Sequence, residues 1–397
     1  MSDEHSRAYR GWRMVAVCFV VATLAWGFGF YGQGIYLAHL LKLRGWSLSL
    51  VSTAITGFYF VSALMVAFVA DWIGRVGAPR VVAGGMVATG AAAAALGFVR
   101  EPWQLYAVYL LMSVGWASTS LAAITTILGM WFSARRGLAV SLALTGASAG
   151  GILVVPALQA LIAAQGFPAA MLVAGALLAF VGAPLALWLI ESPAAPAAGA
   201  GPRPAAQGKA ALLRAFRFWS IAAPFAVVWV TQTAFLTHEV NIFTPLLGAS
   251  GAAAAVAATT FAAVAGRLML GAVVDRLDKR LATAISVTSQ AAALAALAIW
   301  PQPAVFWAAA VVYGLSVGNV ITLPALIVQQ EFEPHAFGAV VALLTSVTQM
   351  FGAFGPALLG LSRDLAGGYD APLVCCALLN VGAGAAFVLL RPWRTAS

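Results

Sequence analysis

The residue with the clearest chemistry is an arginine inside an apolar run. Gly266-Arg267 lies within residues 252–274, a stretch with no other charged side chain before Asp275. A guanidinium at the middle of a membrane helix costs roughly 2.5–3.5 kcal/mol on insertion scales. At about 1.5 Å of rise per residue, Arg267 is about 12 Å in from Asp275, whereas Glu239, counted from Arg217, is about 33 Å from the same face. The sequence therefore gives no reason to expect an ion pair between them. An arginine in such a place is well suited to hold a carboxylate, because its planar fork donates two parallel hydrogen bonds.

Other polar groups reach comparable depths. Tyr59, Ser148, Asn319 and Gln349 each fall twelve residues from an inner-face marker, which puts them about 18 Å deep, with Trp116 and Tyr313 about 27–28 Å deep. They come from five apolar runs, Tyr313 and Asn319 sharing one, as a ligand cavity requires, yet each singly serves equally well as an interhelical hydrogen bond or as packing. His238 and Glu239 form the only adjacent titratable pair in an apolar run. Proton coupling or gating is one reading, since histidine titrates near neutral pH; the depth count favours the other, a solvated outer end of the run. Gly146-Ala-Ser148-Ala-Gly150 has the spacing of a nucleophile elbow, but an elbow needs a strand–turn–helix setting. Inside an apolar helix the same glycines permit close helix packing. Glu331, Glu333 and His335 share a loop without Lys or Arg, for which a solvated turn is the simplest reading; a proton antenna and a partnership with Arg135 and Arg136 are the alternatives.

These residues have to be positioned by membrane helices. Of 397 residues 62% are hydrophobic and 8% charged, against about 45–50% and 25% in soluble domains. A water-soluble enzyme, a disulfide scaffold and a disordered chain are excluded. Twelve apolar runs are long enough to span a bilayer, at 13–40, 47–71, 79–99, 103–131, 138–164, 168–190, 217–246, 252–274, 281–300, 303–330, 337–362 and 370–390. The first is too long for a cleavable signal, and Asp3 and Glu4 spoil its positive flank. With both termini cytoplasmic, sixteen of the 21 Lys and Arg residues fall inside and four (Lys42, Arg44, Arg100 and Arg363) outside, with Arg267 within a span. Positive residues hold loops on the cytoplasmic side, so the net charge of +9 points to membrane topology and not to nucleic acid. The expected location is the inner membrane. An Ala/Pro/Gly tract begins at Ser192 and reads as a linker. The expected domains are 1–191, a cytoplasmic linker 192–214, and 215–397. Asp71 and Asp275 are 204 residues apart, and Pro156-Ala-Leu158 and Pro356-Ala-Leu358 are 200 apart, so the halves read as a duplicated six-helix unit, a plan common among transporters.

Gly271-x-x-x-Asp275-Arg276-x-x-Lys279-Arg280 resembles the loop motif of the major facilitator superfamily. Asp71-x-x-Gly74-Arg75 is a weaker first-half copy with Ala67 in place of the usual glycine. Within that superfamily the chain resembles the monocarboxylate transporter and oxalate–formate antiporter branch, especially its bacterial members. The residues that carry this are Gly11-Trp12, Trp131-Phe132-Ser-Ala-Arg135-Arg136-Gly137-Leu-Ala139, Gly146-x-Ser148-x-Gly150 and Gly266-Arg267. The resemblance implies an all-α fold of two pseudo-symmetric six-helix bundles. It also implies that Arg267 binds the substrate carboxylate, and that Asp71 and Asp275 help to lock the cytoplasmic sides of the halves. Eukaryotic members carry a lysine and an aspartate where this sequence has Tyr31 and Ala263. The oxalate branch carries a span-eleven lysine where this one has Thr348 and Gln349. A one-charge anion fits these changes better than a dianion.

The expectation is a secondary transporter, not an enzyme, moving a monocarboxylate-like anion by alternating access with or without protons, and working as a monomer in the lipid bilayer. No Walker, metalloprotease or dinucleotide motif is present, so no cofactor or metal is expected and an ion or substrate gradient must supply the energy. Cys18, Cys375 and Cys376 read as packing residues. The competing readings are export of amphiphilic, drug-like compounds and a transport-inactive sensor or scaffold. The short tails argue against the last.

Overall fold

A computed structural model describes residues 4, 6, 9–66, 68–132, 135–191, 211–273, 276–333 and 336–391. Asp275, His335, Ala67 and most of the linker lie outside the described residues, as does the side chain of Arg136.

Eleven helical segments among these residues are long and apolar enough to cross a membrane. They are Gly11–Arg44, Leu48–Val66, Ala78–Leu96, Pro102–Trp131, Leu138–Gln165, Phe167–Leu189, Phe216–Val273, Lys279–Ile299, Pro303–Glu331, Val340–Ala366 and Asp370–Leu389. The seventh is two helices in one. At Gly248 the backbone turns to φ 72° and ψ 172°, a conformation that glycine adopts without a Cβ penalty. Residues 216–247 and 249–273 are thus spans seven and eight, and the twelve spans expected from the sequence are present. Their starts follow from local chemistry. Span four opens with Pro102 and a reciprocal capping box between Glu101 and Gln104. Span nine opens at Asp278, whose carboxylate accepts from the Leu281 amide at 3.0 Å and meets Arg391. Partial burial pushes the Asp278 carboxyl up, but the Leu281 amide and Arg391 outweigh it and hold the group below its ordinary range.

The chain divides into two compact units, Met1–Ala200 with Ala249–Ala257, and Gly201–Gly248 with Ala258–Ser397. In the first unit span one runs along span five, span two packs on span four, and span three packs on spans four and six. The glycines of Gly146-x-Ser148-x-Gly150 permit the first of these contacts. A Cβ on Gly146 would collide with the Phe19 carbonyl, and one on Gly150 with Thr23 and Gly27 of span one, so the close-packing reading of this motif holds. In the second unit span nine packs on spans ten and twelve, the part that span three plays in the first. Its core includes Phe218, Phe225, Val287, Leu323, Ile327 and Phe387.

Among the described residues three spans carry a π-turn, at Gly27–Tyr31, Gly150–Val154 and Leu178–Gly182. Such turns often mark functional positions within membrane and soluble helices alike. Large apolar side chains such as Phe180, Trp188 and Leu365 stand about four-fifths exposed, as suits a surface that meets lipid instead of water.

Candidate functional site

In the first unit the π-turn of span one sets the geometry. It carries Phe30 and Tyr31, whose rings meet edge-on at 5.1 Å. Phe30 lies 5.8 Å from Tyr59 of span two and 6.2 Å from Trp116 of span four, stacked on the latter. Trp116 in turn lies 4.9 Å from Trp26 and rests on Gly29, where a Cβ would crowd its ring. Three of the residues singled out from the sequence, Tyr31, Tyr59 and Trp116, are therefore brought together around a phenylalanine that sequence reasoning passed over. All three stay half-buried. Ser148, between the two packing glycines of span five, is 5% exposed.

In the second unit the seam between spans eight and ten does the positioning. Cβ atoms on Gly266, Gly314 and Gly318 would run into the backbone carbonyls of Leu315, Thr259 and Ala263, so the two backbones touch at three points over about two turns of span eight. Arg267 and Asn319 are each the residue next to a seam glycine. Arg267 is half-buried. The Asn319 amide donates to Ser286 Oγ at 3.2 Å, and Ser316 Oγ donates to the Ser286 carbonyl at 2.5 Å, which ties span nine to the seam. Tyr313 is packed away: it is 0% exposed, and its ring lies 4.3 Å from Phe235. Gln349 of span eleven is half-buried.

His238 and Glu239 are not at a solvated outer end, as the depth count suggested. Both are 0% exposed. The His238 ring lies 3.0 Å from Tyr369 Oη through Nδ1 and 3.1 Å from the Pro356 carbonyl oxygen through Nε2. Glu239 Oε1 accepts from Thr259 Oγ1 at 2.5 Å. A depth count along one helix misses such burial because the cover comes from spans eight, eleven and twelve.

The loop motif also departs from expectation at its partner. Arg280 is 2% exposed and donates through Nε and Nη2 to the two carboxylate oxygens of Glu331, at 2.5 and 3.0 Å. Its Nη2 also donates to Ser220 Oγ at 2.9 Å, and its Nη1 to the Phe387 carbonyl at 3.2 Å. Glu331 is thus not a solvated turn; the end of span ten carries it back to span nine. Nearby, Arg217 stacks over Phe332 at 5.2 Å. Asp71 lies in the first turn of the short helix Val69–Val76, where Arg75 is exposed. Arg276 is exposed and Lys279 half-buried.

A sequence profile described as the Major Facilitator Superfamily matches residues 16–356. The chain belongs to the major facilitator superfamily. It is 30% identical over 394 residues to monocarboxylate transporter 11 of Homo sapiens, covering 91% of this chain and 79% of that protein. To the Mus musculus protein of the same name it is 31% identical over 400 residues, covering 92% and 84%. The resemblance to the monocarboxylate branch is thereby borne out. Among solved structures, the nucleoside transporter NupG superposes with a TM-score of 0.79 at 13% identity, over 97% of this chain and 100% of that one. A bacterial homologue of the human lysosomal transporter Spinster, in an inward-facing and occupied conformation, gives 0.75 at 14% identity, over 97% of each chain. At these identities the likeness shows the fold alone. The chain is a multi-pass membrane transporter of the superfamily.

Phe30, Trp26, Ser220 and a buried polar group escaped the sequence reading. In that group Thr231 Oγ1 donates to Asn380 Oδ1 at 2.7 Å and Gln290 Nε2 donates to Gln232 Oε1 at 3.2 Å, all four residues being at most 1% exposed. The available signal was a polar residue in each of spans seven, nine and twelve.

Proposed function

We propose that the chain moves a small organic anion with one carboxylate across the cytoplasmic membrane by alternating access, and that Arg267 docks the carboxylate. The observation that carries this reading is Arg267 itself, set in an apolar span beside Gly266 and the backbone seam to span ten. Kinship with monocarboxylate transporter 11 across most of the chain supports it. Tyr31, Tyr59, Trp116, Ser148, Asn319 and Gln349 are the further groups assigned to the substrate path; Tyr313, sealed against Phe235, is left to packing. The halves are 1–191 and 215–397 with a cytoplasmic linker at 192–214, and Asp71, Arg75, Asp275, Arg276, Lys279 and Arg280 control the conformational balance.

The test is thermal-shift screening of the purified protein against a carboxylate library, followed by uptake of the best hit into proteoliposomes. Acids should stabilise the protein by binding the native state, and their amides and esters should not. Esters that bind as well as the acids would overturn the reading in favour of neutral or amphiphilic cargo.

Two further outcomes are expected. In a background from which Cys18, Cys375 and Cys376 have been removed, a cysteine at Ser192 or Ala205 should resist labelling from the outside of intact cells, because the basic residues place the linker inside. Efficient labelling would reverse the orientation. Asp275→Asn should lower turnover more than substrate affinity, since it shifts the inward/outward balance and leaves the docking site intact; the same change at Asp71, whose motif is less complete, should be milder. Lost binding with an unchanged conformational distribution would contradict that role.

A further inference from the structure

We infer that Glu239 is the proton-carrying group of the transport cycle, a role that rests on the organic-anion reading above. Among the described residues, Glu239 is the one Asp or Glu lying more than two residues inside a membrane span. It is 0% exposed. One carboxylate oxygen accepts from Thr259, and the other, Oε2, has no hydrogen-bond partner. No basic side chain among the described residues forms an ion pair with it. An ionised carboxylate sealed from water without a countercharge costs several kcal/mol even after relaxation, and such groups take up a proton instead. Glu239 is therefore neutral in this conformation, with its proton held on the carboxyl. Ionisable residues within membrane spans commonly mark proton paths.

The other ionisable groups around it do not supply the missing charge. His238, the next residue, directs its ring nitrogens to Tyr369 and the Pro356 carbonyl. Span ten contributes Tyr313, a weak acid, which in turn has Cys376 of span twelve, another weak acid, as a neighbour. Arg363 and Asp364 near the end of span eleven pair with each other at 3.3 Å. Thr259 is what links Glu239 to the substrate. It stands on span eight, eight residues before Arg267, about 12 Å along the same helix. Span eight is clamped to span ten at Gly266, Gly314 and Gly318, so it moves as a rod. A shift of that rod as the anion docks or leaves changes the cover over Glu239. Opening to water lets the Glu239 O–H bond break and hand its proton to water, and re-protonation from water on the other side lets the site close again. One anion and one proton then cross together, with no net charge moved.

The test uses the full chain. In infrared difference spectra of the purified protein at neutral pH, wild type should show the carbonyl-stretching band of a protonated carboxyl, and E239Q should lose it. Thr259→Val should keep the band and shift it to higher frequency. A spectrum unchanged in E239Q overturns the assignment. In proteoliposomes, with pyruvate as the probe, wild type should concentrate pyruvate under an inward proton gradient. E239Q should lose that accumulation yet keep pyruvate–pyruvate exchange, which needs no proton to be released and shows that the variant is folded. Gradient-driven accumulation retained in E239Q also overturns the assignment. Wild type moving pyruvate in neither mode counts against the anion reading alone, and the infrared comparison still decides Glu239.

Discussion

Arg267→Ala should weaken binding of the carboxylate by about 10- to 150-fold, the loss of one charge-assisted interaction worth roughly 1.5–3 kcal/mol. Arg267→Lys should be nearly as damaging. Lysine keeps the positive charge but not the planar fork, so two parallel bonds to the carboxylate become one. The measurement is the dissociation constant of the best acid from the library, with its amide or ester as control. The neutral analogue should bind wild type poorly, and it should not distinguish wild type from Arg267→Ala. Thermal stability of the ligand-free variants separates docking from a helix-holding role. A docking arginine leaves the ligand-free protein nearly as stable as wild type, whereas one that holds helices together does not. Normal carboxylate uptake by the alanine variant would overturn the functional reading.

The second large effect is on stability. Arg280 is 2% exposed and Glu331 16%. Removing one partner of a buried ion pair typically costs about 3–5 kcal/mol, because the other charge is left uncompensated. The two deletions should differ. Glu331→Ala strands a nearly sealed guanidinium with only Ser220 and the Phe387 carbonyl for company, so it should cause the larger fall in melting temperature. Arg280→Ala leaves a carboxylate that water can reach, and should cost less. Replacing the pair together, as Arg280→Met with Glu331→Leu, should recover much of the loss, since apolar substitutes of similar volume are often neutral or stabilising. Equal losses in the two single variants, with no recovery in the double, would show that the pair is not the stabilising contact described here.

The helix pattern was legible in the sequence because membrane spans are written in composition. Every span expected by apolar length is present, including the pair joined at Gly248, which no loop separates. Arg267 could be found for the same reason: a charge is conspicuous where everything around it is apolar. What could not be read was the sideways environment. Counting along span seven placed Glu239 at a distance from the inner face but could not show Thr259, Pro356 and Tyr369 closing over the pair. Glu331 looked like a loop residue because its partner, Arg280, is 51 positions away and belongs to a motif read only for its loop. The meeting of Tyr31, Tyr59 and Trp116 at Phe30 depends on the turn at Gly27–Tyr31, and counting at a uniform rise per residue cannot anticipate a wider turn.

The π-turns have a bearing on how the two halves are compared. Such a turn closes i→i+5 bonds, so the helix absorbs one more residue than a regular turn while its two ends keep their course. To a residue-by-residue alignment it looks like an insertion inside a span, where gaps are usually forbidden. All three turns among the described residues fall in the first half, in spans one, five and six. Equivalent positions in the two repeats therefore drift out of step within helices as well as at loops. The matched aspartates are 204 residues apart and the matched Pro-Ala-Leu triplets 200, with the turn of span five between them. A single-offset alignment of the repeats would pair wrong faces beyond each turn, and any ancestral half reconstructed from it would carry helices rotated by about 100°.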